Sequence, residues 1–287
     1  MSPQARDSVH CGDSGIPMTL QDAFNSARGP VLDGRSEDDI LDLLQTAEIV
    51  ETGLHPDGSN YVFIVRFETN LGGEVPLLGV YKPQSGERPL RDFPRGLHNR
   101  ERASYLLSRI LGWPAIPPTV IRDGPHGEGS VQMFIHADAE ETYFTMRDDQ
   151  SDQFESIAGF DVIVNNADRK GGACLKDADG KVWAIDQGLT FNPYARVRTV
   201  MFEFCGHPFS AGLVDSLKRL RPRLAPDSTQ DTGLDPDPEP HAAFFAEFKS
   251  LLSEDDIDGL RDRIDTILED GVFPMLDEYY NVPWPLV

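Results

Sequence analysis

The chain has 287 residues, of which 39% are apolar, and a formal net charge of −22. This length and apolar content predict a globular protein with a sizeable core, built as one bilobal unit or as two small domains. The negative charge argues against non-specific binding to nucleic acid or to an anionic membrane surface, because both would repel the protein. A chain of this charge that handles a nucleotide must concentrate positive charge locally.

Cysteine content and hydropathy indicate where in the cell the protein is located. Cys11, Cys174 and Cys205 are odd in number and far apart, and none has the spacing of a zinc site. We therefore expect no disulfide partner and no structural metal, and a reducing cytoplasm is the simplest location. No run approaches the roughly 18 consecutive apolar residues of a membrane helix, and the N-terminus lacks a signal-peptide pattern, so we expect no membrane span.

The first half of the chain predicts a sheet with one inserted helix. Residues 1–36 are polar and rich in turn residues, and we expect a flexible tail there. Ser36 and the acidic residues after it predict the start of a short helix. Apolar runs bounded by Gly, Pro, Asn and Asp then predict strands, and helical spacing predicts one helix between the third and fourth. The strands are expected at 47–52, 61–68, 75–82, 119–122 and 130–135, and the helix at 99–111.

The second half predicts helices and one hairpin. The segment 221–240 is rich in Pro, Asp and Thr, and we expect an exposed, mobile loop there. Apolar residues at helical spacing predict the helices, which are expected at 154–164, 213–220, 242–252 and 255–268.

Two aspartates frame the most distinctive segment of this half. Asp168 follows an apolar run over 160–167, Asp186 follows Val-Trp-Ala-Ile, and a turn over 176–181 separates them. The pattern predicts a hairpin with an acid at each mouth, where an unpaired carboxylate would be costly. Phosphoryl transfer needs one carboxylate to orient or deprotonate a hydroxyl and another to hold a divalent cation on a nucleotide. A purely structural pair remains an alternative at this point.

Residues in the predicted sheet region have candidate roles in the same chemistry. Lys82 ends the third strand, where it would reach nucleotide phosphates under the sheet, and Glu101 on the inserted helix would pair with it. The turn that contains Gly58, Ser59 and Asn60 would cap phosphates with backbone amides. Each residue also has an ordinary interpretation: a solvated lysine, an acidic residue favoured by the helix dipole, and a simple turn.

Three motifs together resemble a known family. Val-Tyr-Lys-Pro-Gln-Ser-Gly-Glu-Arg-Pro-Leu at 80–90, Asn-Asn-Ala-Asp-Arg-Lys-Gly-Gly at 165–172 and Ile-Asp-Gln-Gly-Leu-Thr-Phe at 185–191 look like an actinobacterial family of kinase-like proteins. That family is itself similar to phosphatidylinositol 3-/4-kinases and HipA-type kinases. The family resemblance covers roughly residues 40 to 287, whereas the likeness to the other kinases is confined to the motifs.

The resemblance implies an α+β, bilobal protein-kinase-like fold. Its N-lobe would be a small antiparallel sheet with one helix, over 37–135, and its C-lobe would be mainly helical and carry the catalytic hairpin, over 136–287. The implied cofactors are ATP and Mg²⁺. The implied acceptor is a protein or a small molecule, since the acidic charge disfavours a lipid.

The resemblance also implies roles for particular residues. Lys82 would bind phosphates with Glu101 as its partner, Asp168 would be the catalytic aspartate, and Asp186 would be the metal ligand. Asn166 would hold the geometry of the catalytic loop. Arg169 and Lys170 would neutralise the transferred phosphate. Backbone groups of Met133, Phe134 and Ile135 would bind adenine.

One position departs from the pattern of these kinases. The asparagine that serves them as a second metal ligand is replaced by Ala173, and a methyl group cannot bind Mg²⁺. Three alternatives follow: catalysis with one protein-bound metal, recruitment of another acid such as Asp161, or loss of catalysis.

The leading hypothesis is an ATP- and Mg²⁺-dependent phosphotransferase. A catalytically weak nucleotide-binding regulator and a nucleotidyl (AMP) transferase are its rivals. A metal-dependent phosphatase is disfavoured, because no cluster of histidines or carboxylates supplies two closely spaced metals.

Overall fold

A computed structural model of the protein describes residues 34–55, 61–68, 76–225 and 238–287. The predicted tail, apart from its last residues, and the turn with Gly58, Ser59 and Asn60 lie outside the described residues. None of the helices in the described ranges has the length and apolar character needed to cross a membrane.

The N-terminal part opens with helix α1, Glu37–Thr46, at the position predicted from Ser36. The Ser36 hydroxyl accepts a hydrogen bond from the Asp39 amide at 3.1 Å, and the Asp39 carboxylate accepts one from the Ser36 amide. This capping box satisfies amides that would otherwise lack partners. Ile40 and Leu44 are fully buried on one face of α1 and pack on the sheet.

The sheet has five antiparallel strands in the spatial order β1, β2, β3, β5, β4. Helix α2, Leu97–Leu111, lies in sequence between β3 and β4 and ends at Gly112, whose left-handed backbone stops the helix. The strands are β1 Ile49–Leu54, β2 Phe63–Phe67, β3 Leu78–Pro83, β4 Thr119–Gly124 and β5 Gly127–Met133.

The C-terminal part is mainly helical around one apolar core that includes Phe154, Phe160 and Leu260, all fully buried. A short hairpin of β6 and β7 lies between two helical stretches. The elements are α3 Tyr143–Met146, α4 Ser151–Ile163, β6 Cys174–Lys176, β7 Val182–Ala184, α5 Ala211–Leu220, α6 Pro238–Ser250 and α7 Glu254–Asp270.

The expected α+β, bilobal arrangement is confirmed: an antiparallel sheet region is followed by a helical region. The exact division at residue 135 stays a prediction. The expected loop over 221–240 is wrong at both ends, since a 3₁₀ helix covers Arg221–Leu224 and α6 starts at Pro238. Its middle, residues 226–237, lies outside the described residues. Proline is well tolerated in the first turn of a helix, so this proline opened a helix where we expected a loop.

Candidate active site

Lys82 brings the two halves of the molecule together. Its ammonium donates one hydrogen bond to Glu101 Oε1 and another to Asp186 Oδ1 at 3.1 Å. The side chain is 24% exposed, so the ammonium lies in a cleft and not in bulk solvent. Burial alone would lower the pKa of Lys82, but the charges of Asp186 and Glu101 more than offset it, and the pKa is raised.

Glu101 holds this cluster from the helix α2. Its side chain is only 4% exposed, and its second carboxylate oxygen accepts a hydrogen bond from the Gln187 amide at 3.0 Å. One carboxylate therefore connects the strand lysine to the segment that follows β7. Because both oxygens have partners, burial of this charge is compensated.

Asp186 stands just after β7 with a backbone φ of 60°. A left-handed conformation is uncommon for a residue other than glycine, and such residues cluster at functional sites. Its side chain is 59% exposed, so the carboxylate is accessible to a ligand. The Lys82 charge lowers the pKa of Asp186 more than burial raises it, and the carboxylate stays ionised.

Asp168 lies in a loop with fixed geometry. The Asn166 side chain accepts a hydrogen bond from the Asp168 amide at 3.0 Å and donates one to Asp161 at 2.9 Å. The Asp168 carboxylate pairs with Lys170 Nζ at 3.1 Å. Burial raises the pKa of Asp168, and Lys170 only partly opposes this effect. Asn166 thus holds the loop, and Lys170 places a cation beside the Asp168 carboxylate.

Arg169 does not have the predicted role. Its side chain is fully buried, with Nε and Nη2 bound to Asp161 at 2.7 and 2.9 Å. Nη1 donates to the carbonyls of Ala173 and Ile185 at 3.0 and 2.9 Å. The prediction that Arg169 neutralises transferred phosphate is therefore wrong, because the guanidinium is fully buried and four of its five N–H groups already have partners within the protein. Arg169 instead ties the loop to the ends of the hairpin.

The same contacts decide which oxygens remain for a metal. Asp161 is 1% exposed with both oxygens bound by Arg169, so it is not available as the extra ligand considered above. The Ala173 carbonyl accepts from Arg169 and from the Ile185 amide. Asp186 and Asp168 remain, and one or two carboxylates together with phosphate oxygens form a typical Mg²⁺ donor set. The residues present fit a magnesium–nucleotide complex.

The segment expected to meet adenine is largely used by the sheet. The amides of Met133 and Phe134 donate to the carbonyls of Pro118 and Leu78 at 2.8 and 3.0 Å. Within the described part of the chain, the Ile135 amide makes no such hydrogen bond. Of the three amides, only that of Ile135 therefore remains for an adenine ring, and the contacts of the carbonyls with adenine stay a prediction.

Two parts of the site were not found from the sequence. The Gln187 amide completes the binding of Glu101, and the Gly171 amide donates to the Leu286 carbonyl at 2.8 Å. The second contact brings the last described segment next to the loop of Asp168. No local pattern signals a contact between residues so distant in sequence. The mainly apolar composition of the last residues gave no indication of the contact between Gly171 and Leu286.

A strand lysine bound to a helix glutamate beneath a five-stranded sheet is the arrangement of protein kinases, and the fold is accordingly protein-kinase-like. The chain is 31% identical over 308 residues to Protein Rv2133c of Mycobacterium tuberculosis. The alignment covers 95% of this chain and 98% of that protein. It belongs to the same family as that actinobacterial protein. No protein-family model matches the chain.

Solved kinase structures are similar at low sequence identity. A Golgi casein kinase with Mn/ADP bound matches with a TM-score of 0.48 at 15% identity, over 88% of this chain and 80% of that chain. Hydra Fam20 with sugar matches with a TM-score of 0.46 at 14% identity, over 80% and 86%. The Helicobacter pylori proinflammatory kinase CtkA matches with a TM-score of 0.45 at 11% identity, over 80% and 94%.

Proposed function

We propose that the protein is an ATP- and Mg²⁺-dependent phosphotransferase of the cytoplasm. One observation carries this proposal: the Lys82 ammonium bridges Glu101 and Asp186. The three residues come from three separate elements. A cation placed by two carboxylates at a cleft is suited to phosphates, since phosphoryl transfer depends mainly on positioning and charge stabilisation.

Each residue of the cluster has a distinct task in this proposal. Lys82, fixed by Glu101, binds the nucleotide phosphates, and Asp186 holds Mg²⁺, which would neutralise charge on those phosphates. Asp168 orients the acceptor hydroxyl and takes its proton, and burial raises the pKa of Asp168 toward the working pH, which suits a base. Lys170, 3.1 Å from Asp168, offers a cation to the phosphate in transfer.

The acceptor is a protein or a small molecule with a free hydroxyl. The net charge of −22 would oppose approach to an anionic lipid surface. The finer similarity to phosphatidylinositol 3-/4-kinases and HipA-type kinases rests on the short motifs and stays a prediction.

The test compares binding with turnover. Wild type and Asp168→Ala are incubated with Mg-ATP, and ADP formation and intact protein mass are measured. We expect ADP formation or a phosphoryl gain in the wild type, and neither in Asp168→Ala, although the variant still binds Mg-ATP in a calorimetric titration. Asp179→Ala is the matched control, because Asp179 is an exposed aspartate in the turn of the same hairpin.

The replacement of asparagine by Ala173 favours one alternative, a nucleotide-binding regulator with weak catalysis. Binding of Mg-ATP by the wild type without any Asp168-dependent ATP consumption or autophosphorylation would favour the regulator. A mass gain of one AMP group in place of one phosphoryl group would instead identify nucleotidyl transfer.

A further inference from the structure

A second groove lies apart from the Lys82 cluster, between the segment before α2 and the helical part of the molecule. It has a volume of about 590 Å³, within the range of roughly 300–1,000 Å³ of small-molecule sites. Arg91, Arg95 and Asn99 line one side, and Tyr194 and Asp255 line the other. We call it the arginine groove.

The charges of the arginine groove are unevenly satisfied. All three of the lining carboxylates have partners: Asp256 binds Arg100 at 3.1 Å, Asp92 lies 3.8 Å from Arg198, and Asp255 accepts from the Tyr194 hydroxyl at 3.3 Å.

The cations at the mouth differ from these acids. Arg91 and Arg95 are exposed, and neither has a hydrogen bond or an ion pair with any residue that the structure describes. The Asn99 side chain has no hydrogen-bond partner there either. Asp255, whose partner is a neutral hydroxyl, keeps its negative charge, but two unpaired arginines outweigh it. In a protein with a net charge of −22, the groove is therefore a local positive site.

The backbone amides at the N-terminus of α2 are not available to bind an anion in this groove. The amides of Gly96 and His98 donate to the Glu87 carboxylate at 2.9 and 3.2 Å, so a side chain of the protein already caps the first turn of α2. Anion binding here depends on the two guanidinium groups and on the Asn99 amide. Two free guanidinium groups match the charge of about −1.5 to −2 that a phosphate monoester carries at neutral pH.

We infer that the arginine groove binds a small molecule that carries a phosphate monoester, with Arg91 and Arg95 as its phosphate-binding residues. Arginine is suited to this task because its planar guanidinium binds phosphate oxygens with two parallel hydrogen bonds. The remaining volume accommodates the body of the ligand against Phe93 and Pro193. This site is separate from the proposed nucleotide cleft and does not depend on the proposed activity.

The groove also connects to the catalytic loop. Phe93 packs against Ala167, which directly precedes Asp168. The Asn165 side chain donates to the Asn192 carbonyl at 2.7 Å, and the Asn192 side chain donates to the Asp92 carbonyl. A ligand in the groove therefore contacts segments that position the loop.

The test is a calorimetric titration with inorganic phosphate at constant ionic strength, with acetate in a parallel titration. Four proteins are compared: wild type, Arg91→Ala/Arg95→Ala, Lys82→Ala and the control Lys218→Ala/Arg219→Ala. The control removes the same charge from exposed positions on α5. We expect the arginine variant to bind phosphate at least about tenfold more weakly than wild type, and the other two variants to bind like wild type.

Binding that persists in the arginine variant but disappears in Lys82→Ala would place phosphate in the cleft and overturn the inference. No phosphate binding by the wild type, or equal loss in the control, would also overturn it. Acetate binding as tight as phosphate binding would overturn the phosphate assignment. Melting temperatures close to wild type are expected for the arginine variant and for the control, because the four residues replaced in them are exposed. Lys82→Ala leaves the buried Glu101 without its ion pair, so a cooperative unfolding transition establishes that this variant is folded.

Discussion

The loop of Asp168 and the cluster around Lys82 are built in different ways. The loop is held by buried contacts within the helical part, chiefly the pair of Arg169 and Asp161, which are 0% and 1% exposed. The cluster joins a strand, a helix and the segment after β7 through ion pairs at a solvent-accessible cleft. The loop is therefore fixed in advance, whereas the cluster can exchange partners when a ligand enters.

Loss of the buried pair of Arg169 and Asp161 should have the largest effect on stability. Arg169→Ala leaves Asp161 as a buried charge without its partner, and the free energy of unfolding should fall by about 3–5 kcal/mol. Arg221→Ala is the matched control, because its bidentate pair with Asp265 is partly exposed and should be worth no more than about 1 kcal/mol. Urea denaturation measures both. Similar losses in the two variants would show that the loop is not held by the buried pair.

The second prediction concerns the exchangeable side. Glu101→Gln keeps the shape of the side chain but removes the charge that fixes Lys82, and Mg-ATP affinity should fall by about 10- to 100-fold. Glu51→Gln, which weakens the Glu51–Arg66 pair on the same sheet, should leave the affinity unchanged. Calorimetric titration of both variants decides. Unchanged affinity of Glu101→Gln would mean that Lys82 needs no partner to bind phosphates.

Two adjacent glycines in the loop of Asp168, Gly171 and Gly172, differ in the space around them. A Cβ added to Gly171 would lie 2.7 Å from the ring of Phe144, whereas one added to Gly172 would meet Val287 at an ordinary 3.4 Å. Gly171→Ala should cost about 1–3 kcal/mol of stability through overpacking, and Gly172→Ala within about 0.5 kcal/mol. Thermal unfolding measures the difference. Equal costs would mean that the loop yields easily at this end.

The smallest expected effect is a pH dependence of opposite sign at the two aspartates. The raised pKa of Asp168 means that its stability contribution is present at acid pH and is lost as the pH rises through that pKa. The lowered pKa of Asp186 means that its contribution is present at neutral pH and is lost as the pH falls.

At neutral pH, Asp168→Asn should therefore be slightly more stable than wild type and Asp186→Asn slightly less, each by about 1 kcal/mol or less. Both differences should shrink in acid. Urea midpoints across the pH range test the signs. The same sign for both variants would contradict the contrast between Asp168, whose pKa is governed by burial, and Asp186, whose pKa is governed by the Lys82 charge.

Local patterns predicted the elements of this fold well. Helix α2 was expected over 99–111 and covers Leu97–Leu111, and the helix expected over 255–268 covers Glu254–Asp270. Both have strong helical periodicity and clear end signals, which depend only on neighbouring residues. The pairing of Lys82 with Glu101 was also expected from the order of the elements, whereas the sequence alone did not show that Asp186 would join them.

The role of Arg169 could not be predicted in this way. Beside Asp168, a cation suggests phosphate binding, and only the folded chain shows that Asp161 reaches it from α4. One signal was available: Asp161 interrupts an apolar helix, and a buried carboxylate requires a partner. The contact between Gly171 and Leu286 had no comparable signal.

The shared lysine has a consequence for how the cleft recruits its ligand. One ammonium faces two carboxylates, Glu101 and Asp186, so the cluster carries surplus negative charge. A bare triphosphate approaching it would meet repulsion. Affinity for ATP should therefore depend steeply on an accompanying divalent cation, which would occupy Asp186 and release the ammonium for the phosphates.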